Sequence, residues 1–436
     1  MFMERNAIKQ LSAWKNNPNK KPLIIRGARQ VGKTWLMIDF AKKYYKQYAY
    51  INFDGNKRMA ELFGGDYDIK RILEGLSIER GLKINAQDTL IIFDEVQECP
   101  RALTALKYFY ENAPQYNIIA AGSLLGLALH EGTSFPVGKV DFMDLYPLSF
   151  SEFLLALGMD SFVKLLEENN FPTIKTFKDK YADALRRYYY IGGMPEVVST
   201  FAKNQDYVEV RKLQNNILEA YAQDFSKHIN TTLVTKVRMV WNSLPGQLSK
   251  ENKKFIYGVM KSGARAKEYE SALTWLMDCG LIYKVNRVRK PDIPLKSYED
   301  LAAFKIFIVD VGLLSALSGL DAKTLLEGNK IFEEFKGALS EQYVLQELKA
   351  AGQKDVFYWS KETSAELDFL MQLENNIVPI EVKAETNLKA KSLKVYREEY
   401  SPAVAVRFSM SDYKKTDSIY DIPLYMAQYA FNIIKD

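Results

Sequence analysis

The sequence predicts an α/β chain: a parallel-sheet domain first, a mostly helical middle, and a smaller mixed sheet at the carboxyl end. Three observations carry that reading. Pro22 opens a short apolar strand that ends at Arg26 and runs through a glycine-rich loop into a helical stretch reaching about Lys43. Two further apolar strands, Thr89 to Phe93 and Asn117 to Gly122, end at Asp94-Glu95 and at Ser123. From Ile331 onward the pattern reads helix, strand, hairpin, strand.

Composition sets the bounds. The chain has 436 residues, 47% hydrophobic and 26% charged, with a net charge of +5. That balance belongs to a folded chain of two to four domains and excludes a disordered, collagenous or membrane-embedded one. No apolar run reaches the roughly 18 residues that a bilayer-spanning helix needs. The opening MFMERNAIKQL carries charge at once and has no apolar core, so no secretory leader and no membrane partner are expected. Only Cys99, Cys279, His130 and His228 are present, too few for a disulfide framework, a Cys-rich zinc site or most Ser-His chemistry. A cytoplasmic protein is expected, with its chemistry supplied by carboxylates, lysines and backbone amides. The mild overall charge does not by itself indicate nucleic acid. Between Lys250 and Lys290, however, ten Lys and Arg stand against four Asp and Glu, a local excess of 10 − 4 = +6.

The loop after the first strand reads Gly27-Ala28-Arg29-Gln30-Val31-Gly32-Lys33-Thr34, a G-x-x-x-x-G-K-T motif between strand and helix. Glycines let successive N–H groups turn toward an anion, and the helix adds its positive amino end. These eight residues are therefore expected to cradle phosphates. Lys33 would reach the β- and γ-phosphates, and the Thr34 hydroxyl would ligate Mg²⁺. Asp94, at a strand end where open α/β sheets bind ligands, would hold the same ion through water, and Glu95 would polarise the attacking water. An N-cap role is the alternative for this acidic pair. Ser123 would sense the γ-phosphate. The residues alone leave ATP and GTP open. Asn56-Lys57-Arg58-Met59 lacks the aspartate of a guanine-recognising Asn-Lys-x-Asp, which favours ATP.

Residues 1–150 are accordingly expected to form this P-loop domain. Residues 151–229 read as a helical lid or connector, interrupted by the rigid turn Tyr190-Ile191-Gly192-Gly193-Met194-Pro195-Glu196. Lys139, Arg186 and Arg187 are candidate positive groups at the γ-phosphate, with surface solvation as the alternative for each. Residues 230–310 read as three helices (Thr231–Leu244, Asn252–Met260 and Arg265–Asp278) followed by strands at Leu281–Val285 and Phe304–Val309. That order fits a winged helix carrying the +6 stretch, a module that contacts DNA or packs on proteins.

Residues 311–436 are expected to form the carboxyl-terminal α/β domain. Glu341 lies on an amphipathic helix whose apolar side holds Phe335, Leu339, Tyr343 and Leu348. Asp368, Glu381 and Lys383 form D-x(12)-E-x-K, with Glu381 and Lys383 on one strand face. Glu341, Asp368 and Glu381 are candidate metal ligands, and Lys383 would orient or deprotonate a water beside them. A plain sheet with a surface Glu381–Lys383 ion pair is the alternative.

Several segments resemble a known family. GARQVGKT, LIIFDEVQ, AAGS and YPLSFSEF are similar to AAA-type P-loop ATPases of bacteria and archaea. IGGMPE, FKIFIVDVGLLSAL and ELDFL…IVPIEVKA are similar to the domain of unknown function that follows in them, DUF4143. The resemblance implies ATP binding at Gly27, Gly32, Lys33 and Thr34, hydrolysis at Asp94 and Glu95, and a restriction-endonuclease-like end with its roles at Glu341, Asp368, Glu381 and Lys383. Gly138-Lys139 stands where a Gly-Arg pair is expected, and lysine lacks the bidentate fork of arginine. The function expected is Mg²⁺-dependent ATP hydrolysis coupled to a DNA-binding or nuclease-like half, with oligomerisation open. The alternative is a nucleotide-gated switch for protein partners with an inactive nuclease fold.

Overall fold

Residues 4–122, 135–227, 229, 231–249, 254–327, 333–361, 365–386 and 390–435 are described by a computed structural model of the protein. Ser123, His130 and His228 lie outside them. The chain divides into two units, residues 5–146 with 278–281, and residues 147–277 with 282–436 and the first four residues.

The first unit is built on β1 (Leu23–Arg26), β2 (Gln47–Asn52), β3 (Thr89–Asp94), β4 (Asn117–Ala121) and β5 (Asp141–Asp144), in the order β2-β3-β4-β1-β5. Every neighbouring pair is parallel. Parallel sheets are covered on both faces, which is why β3 and β4 are buried at every residue and read as unbroken apolar runs. Phe53, Phe63 and Phe93 meet edge to face, 5.4–5.6 Å apart, in the core between this sheet and its helices. The carboxyl ends of β1 and β3 flank β4, so the loop after β1 and the acids closing β3 share one edge of the sheet.

The second unit contains a mixed sheet of eight strands: β6 (Ile282–Val288), β7 (Glu299–Ile308), β8 (Phe357–Lys361), β9 (Ala365–Leu373), β10 (Asn376–Val382), β11 (Ala405–Ser409), β12 (Lys414–Thr416) and β13 (Ile419–Pro423), ordered β12-β13-β11-β10-β9-β8-β6-β7. The strands expected as a wing do pair with each other, as antiparallel β6 and β7. They are not a free hairpin, because β6 also pairs in parallel with β8 through Arg287↔Tyr358 and Val288↔Trp359. The segments expected as connector, winged helix and carboxyl-terminal domain thus cluster in one unit. The helix expected at Asn252–Met260 is, among the described residues, only a 3₁₀ turn at Tyr257–Val259. Phe255 gives its N–H to the Phe304 carbonyl instead, at 2.7 Å, and Gly258 lowers the helical preference further. The flanking helices are present as Thr231–Leu248 and Ala266–Asp278.

The helix Glu333–Ala350 was expected to be amphipathic, yet every residue from Ala338 to Leu348 is buried. Its polar side chains take up backbone groups of other segments. Gln342 accepts from Ile308 N–H (2.9 Å) and donates to Ile308 C=O (2.7 Å). Gln346 accepts from Val311 N–H at 2.9 Å, and Glu347 accepts from Phe150 N–H at 2.9 Å. Burial pushes the Glu347 carboxyl up to about 8, only partly offset by the Phe150 bond. A carboxyl whose pKa is raised from 4.5 to about 8 on folding contributes stability that is full below 4.5 and is lost as pH rises through 8. Glu347→Gln is therefore expected to flatten the fall in thermal stability between pH 5 and 8.5 by roughly 3–5 kcal/mol, read from unfolding curves of both proteins across that range.

Asp310 joins two distant motifs. Its carboxylate accepts from Gly193 N–H at 2.6 Å and Leu313 N–H at 2.9 Å, capping the helix Val311–Leu317. The glycines of both motifs are required by this contact. A Cβ at Gly192, whose φ is +74°, would sit 2.1 Å from an Asp310 oxygen, and one at Gly312 would sit 2.4 Å from Ile191 C=O.

Candidate nucleotide site and a carboxylate cluster

The loop after β1 takes backbone conformations that favour glycine. Gly27 has φ +150°, Gln30 +67° and Gly32 +90°. A Cβ at Gly27 would lie 2.2 Å from Leu145 C=O. Gly32 is the N-cap of the helix Lys33–Tyr44 and offers no capping side chain to its first N–H groups. The buried Lys33 ammonium bonds the loop's own carbonyls, Gly27 and Ala28, each at 2.8 Å. Burial lowers it to about 8, against the raising influence of Glu95 and Asp94. Ala28, Arg29, Val31 and Thr34 complete the loop and the start of the helix.

Asp94 is held from three sides. Thr34 donates to one oxygen at 2.6 Å, Tyr50 donates to the same oxygen at 2.9 Å, and Glu95 N–H donates to the other at 3.1 Å. Burial, and then the Asp94 charge, push the Tyr50 phenol well above its usual range, so it remains a donor. Glu95 has φ +49°, and its carboxylate accepts from Gln97 at 2.7 Å. A hydroxyl and a carboxylate oxygen in contact form a donor set that suits Mg²⁺, with phosphate and water oxygens to complete it. Arg5 is buried and ties the loop to the chain beyond β5, donating to Val31 C=O at 3.1 Å and Tyr146 C=O at 2.6 Å. Tyr50 and Arg5 lie in no motif, and Gln97 closes the segment LIIFDEVQ with no role assigned to it from the sequence. The tyrosine alternation in QYAYIN, on the strand beside β3, is a signal that could have found Tyr50, but the sequence reading did not use it.

Lys139 does not reach this site. Its ammonium lies 3.0 Å from Glu111 and over the Tyr110 ring, while Gly138 C=O accepts from Lys21 just before β1. The Gly138-Lys139 pair therefore sits at the amino ends of β1 and β5, opposite the phosphate loop. Arg186 is paired at 2.8 Å with Asp183 on its own helix.

In the second unit, the four carboxyl-terminal candidates come together. Antiparallel pairing of β9 with β10 runs to Phe369↔Ile380, the residues next to Asp368 and Glu381, and Asp368 accepts from Val382 N–H at 2.7 Å. Lys383 lies 2.6 Å from Glu381. Burial pushes the Glu381 carboxyl up, with Lys383 opposing and Glu341 adding to the rise. Lys383 loses to burial but is raised overall by Glu381, Asp368 and Glu341. Two further residues join them. Lys305, on β7, is fully buried, with its ammonium 2.6 Å from Glu366 and 3.9 Å from Glu341. Two ammonium groups thus stand among four carboxylates. Among the described residues no group of three or more Asp, Glu, His or Cys is arranged to hold a metal ion. The expected metal set at Glu341, Asp368 and Glu381 does not fit a divalent ion as these residues stand.

Much of the basic stretch is engaged locally. Arg287 and Arg289 lie 2.6 and 3.3 Å from Asp300, Lys290 lies 3.0 Å from Asp292, and Lys284 covers the Phe304 ring. Lys261, Arg265 and Lys267 are exposed. No helix among the described residues is long and apolar enough to cross a membrane.

The phosphate loop, its buried lysine and the Thr34–Asp94 contact agree with a family match. Residues 19–154 match the AAA domain. Residues 336–426 match the domain of unknown function DUF4143, and residues 182–324 a second domain of unknown function, DUF8612. No curated protein matches the chain. Among solved structures, the Walker-type ATPase of Pyrococcus abyssi is similar at 14% identity, covering 72% of this chain and 96% of its own, with a TM-score of 0.46. Orc1 of Aeropyrum pernix, solved in complex with DNA, is similar at 11% identity over 73% and 93% of the two chains, with a TM-score of 0.28. The RuvB Holliday junction branch migration motor of Thermotoga maritima follows at 13% identity over 66% and 91%, with a TM-score of 0.29.

Proposed function

We propose that this AAA-domain chain hydrolyses ATP and couples its nucleotide state to the carboxyl-terminal half, with residues 151–229 as the connector. The contact of Thr34 with Asp94 beside the buried Lys33 carries this reading. Loop amides from Gly27 to Lys33 bind the phosphates, and Lys33 exchanges its loop carbonyls for β- and γ-phosphate oxygens. Mg²⁺, held by Thr34 and by Asp94 through water, would neutralise phosphate charge when bound. Glu95, steadied by Gln97, aligns a water for in-line attack on the γ-phosphorus. The bond to the β-phosphate oxygen breaks, and ADP and phosphate leave. Glu95→Gln is expected to keep ATP affinity and to lose at least about 10²-fold in turnover, measured as phosphate release from Mg²⁺–ATP alongside nucleotide titration. Full turnover in that variant would assign the water to another residue.

For the carboxyl-terminal half, the succession helix, β8-β9-β10 meander, helix, parallel β11 supports a restriction-endonuclease-like arrangement, with Glu341, Asp368, Glu381 and Lys383 at its centre. Exposed Lys261, Arg265 and Lys267 support contact with DNA phosphates. A second reading, a nucleotide-gated switch whose nuclease-like fold is inactive, is favoured by one observation: the buried ammonium of Lys305 among the carboxylates.

A further inference from the structure

We infer that Lys305 is a resident cation that takes the place of a divalent metal at the carboxyl-terminal carboxylate cluster. The inference deepens the second reading above and rests on it. Four carboxylates, Glu341, Glu366, Asp368 and Glu381, meet around two ammonium groups, Lys305 and Lys383. A hard divalent ion needs several carboxylate oxygens at roughly 2.0–2.6 Å. Here Glu366 is turned onto Lys305, and Glu381 onto Lys383, each at 2.6 Å. A metal bound to Glu341 and Asp368 would lie close to both ammonium groups in a poorly screened interior, where like charges repel most.

Lys305 is also in no position to withdraw. Its side chain is fully buried, its backbone pairs with Val285 of β6, and its ammonium lies 4.9 Å from the centre of the Tyr358 ring. Without it, buried Glu341 would lose the ammonium 3.9 Å away and Glu366 the one at 2.6 Å, a costly state that a folded protein relieves by taking up a cation. Lys305 therefore spares this half any dependence on metal for folding and leaves the cluster without the ion that a two-carboxylate hydrolase uses to polarise phosphate.

The test counts Mn²⁺ bound to the nucleotide-free full chain by electron paramagnetic resonance of the free ion. Wild type and the Asp368→Asn/Glu381→Gln double variant are expected to bind the same amount up to about 1 mM. One extra Mn²⁺ per wild-type chain overturns the inference, and this comparison does not depend on any Lys305 variant folding. Lys305→Met, when folded by circular dichroism, is expected to gain one Mn²⁺ per chain, lost again on adding Asp368→Asn; a folded Lys305→Met that gains none overturns it too. Plasmid cutting separates the two claims. Cutting in EDTA that Asp368→Ala removes sinks the inactive-fold reading and upholds Lys305 as the resident cation. Extra Mn²⁺ on wild type without any cutting sinks the cation and spares the inactive fold.

Discussion

Lys33→Ala is expected to weaken ATP binding by about 10²–10⁴-fold. The estimate follows from what the side chain does. Its ammonium is buried and makes two bonds of 2.8 Å to the loop carbonyls, so it is already desolvated and aimed along the loop. Phosphate oxygens would replace those carbonyls with charge-assisted bonds, each contributing roughly 1.5–3 kcal/mol. Alanine removes both the bonds and the only buried ammonium among the described loop residues. Lys33→Arg is not expected to restore affinity, because a planar fork does not fit where a point charge meets two converging acceptors. Titration of a fluorescent ATP analogue checks this, with thermal unfolding as a control on the fold. Wild-type affinity in Lys33→Ala would remove the phosphate loop from the mechanism.

The second large effect is on stability. Asp310→Ala is expected to cost roughly 4 kcal/mol, or about 8 °C in melting temperature for a unit of this size. Alanine leaves the Gly193 and Leu313 N–H groups buried without their acceptor, removes the N-cap of the helix Val311–Leu317, and opens a cavity. Asp310→Asn keeps one acceptor oxygen and should lose about half as much. Burial pushes the Asp310 carboxyl up to about 6, from 3.8. Its raised pKa contributes stability that is full below 3.8 and is lost as pH rises through 6. The asparagine variant should therefore come closest to wild type above pH 6. Denaturant unfolding at two pH values measures both effects, and an Asp310→Ala protein as stable as wild type would refute the shared-turn account.

What the sequence revealed of the site depended on how locally the chemistry is encoded. The phosphate loop keeps its glycines, lysine and threonine within eight adjacent residues, so strand, loop and helix were legible together. Asp94-Glu95 was legible because four apolar residues lead into it. β5 was not, since Asp141-Phe142-Met143-Asp144 is four residues long with two carboxylates and has no strand pattern. Tyr50 was missed with its strand, and Arg5 because nothing near it marks an arginine that bonds two distant carbonyls. Lys305 was visible as a charge inside the apolar run FKIFIV. Its partners were not, because the pairing of β6 with β8 joins residues some seventy positions apart and no short-range signal reports it.

The helix Glu333–Ala350 has a mechanical consequence. Gln342 and Gln346, one turn apart on one face, and Glu347, turned away from them, are keyed into the main chain at Ile308, Val311 and Phe150. A helix seated only on apolar side chains can ratchet by a turn at small expense, because one hydrocarbon contact substitutes for another. Here every increment of rotation or slip would strand several dipoles at once. This rod has almost no torsional play, and any displacement transmitted through it must carry its surroundings along as a block.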